Sequence, residues 1–310
     1  MTKAAAPLVS VLIPAYNHER FVERCLDSVL EDAYPAKEIV IIDDGSIDRT
    51  GERIAQWAAR YRRHLRVEYV RHDGNRGIAA TLNELAARAH GEFLRLGASD
   101  DYLLPGGLAA QVNYLQAHPR KHAVIGDSIV VDQYGNKLHD SGMRDLHGAD
   151  KSLYRTDEGI RRAVISQWAI GGPVALLRKS ALETVDRWTE GLRIDDWDFF
   201  LRLAARDALG FIDMPVCAYR LHGNNVSKTR HTATRIVNLT ESWQVARRRA
   251  EMFDEPYRSL LKAQSHYISA KVAFLQKRSI LLGCHLLAYL SLLLASKVRL
   301  PPAGRLVEKT

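Results

Sequence analysis

The sequence predicts an α/β protein built on a doubly wound, mostly parallel, Rossmann-like sheet, followed by a helical C-terminal extension. Three observations carry this reading. Short apolar runs alternate with amphipathic stretches through the first hundred residues. Apolar residues make up 46% and charged residues 26% of the 310, a globular balance that sets aside disorder, collagen and coiled-coil arrays. Beyond residue 227 the pattern changes to basic, leucine-rich helical segments.

Leu8–Ile13, closed by Pro14, reads as the first strand; it is too short for the apolar core of a secretory signal, so none is expected. A helix over Glu19–Leu30 follows, with Phe21, Val22, Cys25, Leu26, Val29 and Leu30 on one stripe. Glu38–Ile42 is the second strand, ended by Asp43-Asp44-Gly45-Ser46, whose Asp-Gly and Ser signals give a turn and then a helix marked by Ile54, Trp57, Ala58 and Tyr61. Leu65–Val70 reads as strand, Ile78–Ala89 as helix and Glu92–Leu96 as strand. Further on, His118–Val131 gives a helix end and a strand, Gly135–Lys151 reads as loop, and Val216–Arg220 is strand-like. Ligands of such sheets bind beyond the carboxyl ends of the strands, so the loops after Ile13, Ile42, Val70 and Leu96 carry the interest.

The net charge of +8 is unevenly spread. Residues 228–310 hold fifteen Lys and Arg against five Asp and Glu, while the rest of the chain holds 29 against 31. A neutral domain with a basic tail points to an anionic surface, not to nucleic acid. Cys25, Cys217 and Cys284 are odd in number and scattered, which fits a reducing, cytoplasmic compartment and excludes a disulfide framework or a metal knuckle.

Three acidic clusters sit where chemistry is expected. Asp43-Asp44, at a strand's carboxyl end, can accept hydrogen bonds from ribose hydroxyls or a base N–H, or can simply cap the following helix. Asp100-Asp101 offers hard oxygen ligands for Mg²⁺ or Mn²⁺ beside a diphosphate, or a solvated turn. Asp195-Asp196-Trp197-Asp198 precedes a helix start at Phe199-Phe200-Leu201 and equally fits favourable charge at a helix N-terminus.

Taken in order, these clusters resemble the family 2 glycosyltransferases of GT-A fold. The resemblance runs from Val9 to about residue 227 and rests on Val-Ser-Val-Leu-Ile-Pro-Ala-Tyr-Asn (9–17), Glu-Ile-Val-Ile-Ile-Asp-Asp-Gly-Ser-Ile-Asp-Arg-Thr (38–50) and Asn-Arg-Gly (75–77). Asn83, Gly91-Glu92-Phe93, Asp100-Asp101 with Pro105, Asp195-Asp196-Trp197-Asp198 and Tyr219-Arg220-Leu221-His222 continue it. It implies a catalytic domain over 1–227, with a nucleotide-binding half to about 105 and an acceptor-binding half from about 106, and a basic helical extension over 228–310. It also implies metal-dependent, inverting transfer from a nucleoside-diphosphate sugar, UDP-linked by expectation, to a glycan or lipid-linked glycan.

Residue by residue, Pro14, Ala15, Tyr16 and Asn17 match the loop that cradles the base, Asp44 the carboxylate that recognises it, Asp100 the metal ligand and Asp196 the catalytic base. Inverting displacement needs one carboxylate to take the acceptor's proton and a cation, Mn²⁺ or Mg²⁺, to hold the leaving diphosphate. His222 is a candidate second metal ligand or a packing histidine, and Arg76 a phosphate contact or a solvated loop arginine. Trp168, beside Gly171-Gly172, either stacks on an acceptor sugar or packs in the core; Asp195 is a further acceptor candidate.

Two departures bear on the chemistry. The metal motif is often Asp-x-Asp, but Ala98 stands two before Asp100, so Ser99, Asp101 or a water is expected to fill in. Phe199-Phe200-Leu201-Arg202-Leu203 replaces the Gln-x-x-Arg-Trp of processive synthases, so one sugar per binding event is expected. Pro-Ala-Tyr-Asn lacks glycine, which argues against a sugar-nucleotide pyrophosphorylase; a non-catalytic scaffold is the remaining alternative, and the intact Asp100 and Asp196 argue against it. In the tail, Ile280–Ser296 carries no formal charge and is flanked by Lys277-Arg278 and Lys297-x-Arg299. It fits a helix packed on the domain or a second copy, one lying on an anionic membrane at its inner face, or one crossing it.

Overall fold

A computed structural model describes residues 5–223 and 231–296. The expected alternation is present: β1 (Val9–Ala15), α1 (Val22–Glu31), β2 (Lys37–Asp43), α2 (Thr50–Tyr61), β3 (Arg66–Arg71), α3 (Ile78–Arg88) and β4 (Phe93–Leu96). There follow β5 (Tyr102–Leu103), α4 (Gly107–Ala117), β6 (Ala123–Val131), β7 (Lys137–His139), α5 (Asp157–Ser166), β8 (Ala175–Arg178), α6 (Ala181–Thr184), α7 (Asp195–Ala204) and β9 (Leu209–Arg220). Three helices close the described chain: α8 (Thr232–Arg249), α9 (Tyr257–Leu275) and α10 (Ser279–Ser296).

The strands form one nine-stranded sheet in the order β3-β2-β1-β4-β8-β6-β9-β5, with β7 beside β6. β3, β2, β1 and β4 run parallel, so their carboxyl ends line one edge. β8 enters antiparallel between β4 and β6, and β9 runs parallel to β6. Side chains alternate across the sheet as strand geometry requires. Val11, Ile13, Ile39 and Ile41 join one core with Leu26 of α1, Ile54 of α2 and Val112 of α4. Leu12, Val40 and Ile42 join the other with Leu82 of α3, Val164 of α5 and Phe199 of α7. The result is three layers with two cores.

That second core also takes in Val245 and Ala246 of α8 and Leu260, Leu261 and Ile268 of α9. The first two C-terminal helices therefore complete the hydrophobic layer under α5 and α7. The boundary expected at 227/228, and the basic flank at Lys297 and Arg299, lie outside the described residues.

Several elements differ from the sequence reading. β9 begins at Leu209 instead of Val216, and its register against β6 shifts near Asp127, which accommodates Pro215 in the strand. β8 goes unread because Ala-Leu-Leu-Arg is short and follows Gly-Gly-Pro. The 135–151 segment contains β7 and a π-helical turn at Gly142–Leu146, where Ser141 accepts the Arg144 N–H. α7 starts at Asp195 instead of Phe199: the acidic run is itself the first turn, where carboxylates offset the helix's positive end.

Candidate active site

The carboxyl ends of β1 and β2 are tied into one cradle. The Asp44 N–H donates to Ala15 O (2.8 Å), the Asn17 N–H to Ser46 Oγ (2.9 Å) and the Ile47 N–H to Asn17 Oδ1 (2.9 Å). Asn17 holds a left-handed φ of 55°, a conformation asparagine tolerates better than most residues. Gly45, at φ 77°, presses on Gly74 so closely that a Cβ would lie 2.6 Å from its backbone. The loop after β2 thereby meets the loop after β3 and brings the 75–77 turn against Asp44.

Asp44 is a buried hub. Its carboxylate accepts from His72 Nδ1 (2.7 Å), the Arg76 N–H (2.9 Å) and the Gly77 N–H (3.0 Å). A carboxylate offers about four acceptor sites, so about one remains for a nucleobase or ribose donor. His72 is clamped from its other side by Glu84 (3.0 Å). Arg76 contributes its backbone here, while its exposed side chain reaches towards Glu84 (3.5 Å). Pro14 and Ala15 end β1 beneath the cradle, and Tyr16 is exposed at its rim.

At the ends of β1, β4 and β9, three donors converge. His222 Nε2 lies 3.0 Å from Asp100 Oδ2, and His18 Nδ1 lies 3.8 Å from Asp100 Oδ1. One ligand atom from each of His18, Asp100 and His222 falls within 4.8 Å of the others. Ser99 Oγ meets His18 Nδ1 at 2.8 Å and the Thr50 hydroxyl accepts the His18 N–H at 2.8 Å, which fixes the ring's position. Burial lowers the pKa of His18 despite the opposing pull of Asp100, so its imidazole is neutral at pH 7, the form that ligates metals. Burial works against ionised Asp100, but the His222 hydrogen bond and His18 hold its carboxyl below the usual range. Two imidazoles and a carboxylate suit a borderline-hard divalent ion such as Mn²⁺, so the donor set fits the expected metal.

His18 is the site residue that the sequence reading missed. The available signal was topological: adjacent parallel strands β1 and β4 place the residue after Tyr16-Asn17 opposite the residues after Gly97.

Asp101, expected at the donor, is placed otherwise. It is buried and accepts the Arg220 N–H (2.8 Å), while Arg220 Nε donates to Asp100 O (2.8 Å). Burial, then Asp100, raises its pKa well above the carboxylate range. Asp101 fastens the acidic loop to β9 and holds Asp100 in place. Ser99 is likewise buried, and its hydroxyl orients His18.

The second acidic group is the first turn of α7. Asp198 is fully buried and bound by Arg249 of α8 (2.7 and 3.0 Å), Arg202 (3.1 Å) and Thr189 (2.9 Å). Those cations hold its carboxyl below the usual range although burial opposes them, so it is a structural anion. Glu241 of α8 accepts the Arg193 and Ile194 N–H groups (2.8 and 2.9 Å) just ahead of the helix. Asp195 is buried, and burial followed by the charge of Asp196 raises its pKa well above the usual range. Asp196 keeps partial access to solvent, and burial lifts its carboxyl to about 6 against the Trp197 N–H that binds it (2.7 Å). A carboxylate with that value is poised to take a proton near neutral pH.

Trp168 lies half-buried against Phe200 of α7, ring centres 5.5 Å apart, so the loop bearing Trp168, exposed Gly171 and half-buried Gly172 borders α7. Packing accounts for the ring as placed. Buried Arg202 donates to Val185 O and to Asp186 O (3.0 Å), which turns the segment that differs from the processive motif into the core.

Known proteins agree with this architecture. The putative glycosyltransferase EpsE of Bacillus subtilis (strain 168) is 33% identical over 132 residues, 42% of this chain and 46% of EpsE, so the match spans less than half of that protein. The solved mannosyltransferase PcManGT from Pyrobaculum calidifontis, in complex with GDP-Man and Mn²⁺, superposes with a TM-score of 0.65 at 23% identity, over 96% of this chain and 78% of its own. S. aureus TarS 1-349 in complex with UDP-GlcNAc superposes at 0.59 and 17% identity, over 92% and 89%. Residues 10–186, which carry the cradle, the acidic loop and the sheet between them, match the model of glycosyl transferase family 2. More than half of the chain lies within that match, and the chain belongs to this family of glycosyltransferases.

Proposed function

We propose that the protein moves one sugar per binding event from a nucleoside-diphosphate sugar to a hydroxyl of a saccharide or lipid-linked glycan, with inversion, working at the inner face of the cell membrane. The observation that carries this reading is the convergence of His18, Asp100 and His222 beyond the sheet's carboxyl edge, beside the cradle centred on Asp44. These three residues would hold Mn²⁺ or Mg²⁺, which when bound supplies Lewis-acid stabilisation of the leaving diphosphate. Asp44 and the backbone of the 14–17 loop receive the nucleoside. Asp196, the one acidic residue of α7's first turn with both solvent access and a raised pKa, takes the acceptor's proton. A single base of this kind suits direct displacement, with no second carboxylate needed as nucleophile. PcManGT binds GDP-Man and TarS binds UDP-GlcNAc, which supports a diphosphate-sugar donor here.

The test incubates purified protein with UDP-glucose, UDP-N-acetylglucosamine and GDP-mannose, with Mn²⁺ or with EDTA. Release of nucleoside diphosphate from one donor, abolished by EDTA, is the expected outcome. Full turnover in EDTA would remove the metal from the reading, and a product of retained anomeric configuration would remove the direct displacement.

A further inference from the structure

α10 is half committed and half bare. Leu282, His285, Ala288, Tyr289, Leu292 and Leu293 turn inward, with the Tyr289 and Tyr267 rings 5.3 Å apart and His285 Nδ1 3.2 Å from His266 Nδ1. On the other side Ile280 is 83% exposed, Leu287 70% and Leu294 80%, and Leu281, Leu286 and Leu290 continue the stripe. So many apolar side chains left in water on one face of one helix form a surface whose burial is favoured.

A cavity of about 440 Å³ opens between α8, α9 and α10, on the inward side of α10, where His285 and Leu292 line it. It is lined by Trp243, Arg247, Glu251, Lys262, His266 and His285, none of them a residue of the active site. Glu251 is engaged by Lys262 (2.8 Å) and Arg258 (3.6 Å). The Arg247 guanidinium lies over the Trp243 ring at 5.2 Å, a cation beside an amphipathic aromatic. An adjoining cavity of about 240 Å³ shares Trp243 and His285 and adds Arg278 and Leu281. Basic groups and imidazoles thus line a cavity with Leu281, 45% exposed, at its lip, so that a polar interior borders an apolar face, the arrangement an amphiphile with an anionic head and greasy tail requires.

We propose that this cavity binds the phosphate headgroup of an anionic phospholipid, whose acyl chains leave past Leu281 into the bilayer interface in which the outer face of α10 lies. Residues 231–296 hold nine Lys and Arg against four Asp and Glu, so a second copy would oppose like charge, whereas an anionic bilayer would complement it. A bilayer crossing is disfavoured because His285, Tyr289 and Leu293 are committed to protein along one side of the helix. The proposal rests on the membrane attachment proposed above and adds the headgroup site to it.

Full-length protein is sedimented with phosphatidylcholine vesicles, with or without about one third phosphatidylglycerol. Binding is expected to be at least about tenfold tighter to the anionic vesicles and to weaken in high salt. Arg247→Gln should lose roughly fivefold of that preference, and the surface pair Leu287→Ser with Leu294→Ser should release the protein from both vesicle types, with nucleotide binding unchanged in each variant. Equal binding to both vesicles, or an Arg247→Gln protein with full preference, overturns the headgroup site and leaves attachment standing. Inorganic phosphate that raises the Tm of the wild type but not of Arg247→Gln, without vesicle binding, makes the cavity a soluble-phosphate site and overturns the lipid. No binding to any vesicle at low salt, together with a dimeric mass that the leucine pair makes monomeric, overturns both readings in favour of self-association.

Discussion

Asp196→Asn is expected to damage the enzyme and stabilise the fold, and the two effects separate with pH. Burial lifts the Asp196 carboxyl from 3.8 to about 6, so the folded chain binds this proton more tightly than the unfolded chain does. The stability contributed by that proton is complete below about pH 4 and is lost as pH rises through about 6. At pH 8 the folded state carries a desolvated carboxylate, at a cost of about 1–3 kcal/mol from a shift of roughly two units at 1.36 kcal/mol each. Asparagine keeps the shape and the acceptor oxygen for the Trp197 N–H but never ionises. Relative to wild type, its Tm should be higher by about 2–6 °C at pH 8, and the gap should shrink to about a third of that at pH 4.5. Catalysis runs the other way: wild-type kcat should rise with pH through about 6 as the base ionises, and the variant should lose roughly 10²–10⁴ in turnover with donor affinity retained. Thermal melts at the two pH values and a transfer assay across pH 5–8 read both quantities. A variant that melts lower than wild type at pH 8, or one that retains transfer, refutes the assignment of Asp196 as a desolvated base.

Two further predictions test other parts of the site. His18→Ala and Asp100→Ala should each weaken the Mn²⁺-dependent tightening of nucleoside diphosphate by at least about tenfold, whereas Asp44→Ala should weaken nucleoside and diphosphate alike; calorimetry with and without EDTA separates them, and identical profiles would merge the two roles. Arg249→Ala leaves buried Asp198 short of its main partner and should cost about 3 kcal/mol, while Arg249→Met combined with Asp198→Asn should recover much of the loss; a double variant no better than the single one would mean that charge is not the reason.

The first hundred residues were legible because each of their elements is written in a local pattern. Short continuous apolar strands such as Lys37–Asp43 and an amphipathic helix such as Val22–Glu31 declare themselves, and parallel order places their loops at one edge. Asp44 and Asp100 were readable as carboxylates at strand ends. Their partners were not: His72, which bonds Asp44 and is held from behind by Glu84, and His18, which faces Asp100, come from separate segments that only the sheet order brings together. Asp101 misled because sequence records adjacency and not direction; in consecutive residues one side chain turns to the site and the next into the protein, where Arg220 meets it.

The C-terminal helices show the same limit more sharply. Their basic composition reads as an appendage, yet two acidic contacts tie them to α7. Glu241 receives the free N–H groups ahead of α7, and Arg249 neutralises Asp198 inside its first turn. A turn with three aspartates concentrates negative charge that the helix dipole offsets only in part, at roughly 0.3–1 kcal/mol per group. Pairing Asp198 with two arginines removes its charge from that balance; burial raises the pKa of both Asp195 and Asp196, and the charge of Asp196 raises Asp195 further. α8 therefore braces the turn that carries Asp196, so a segment whose composition reads as an appendage bears on the site.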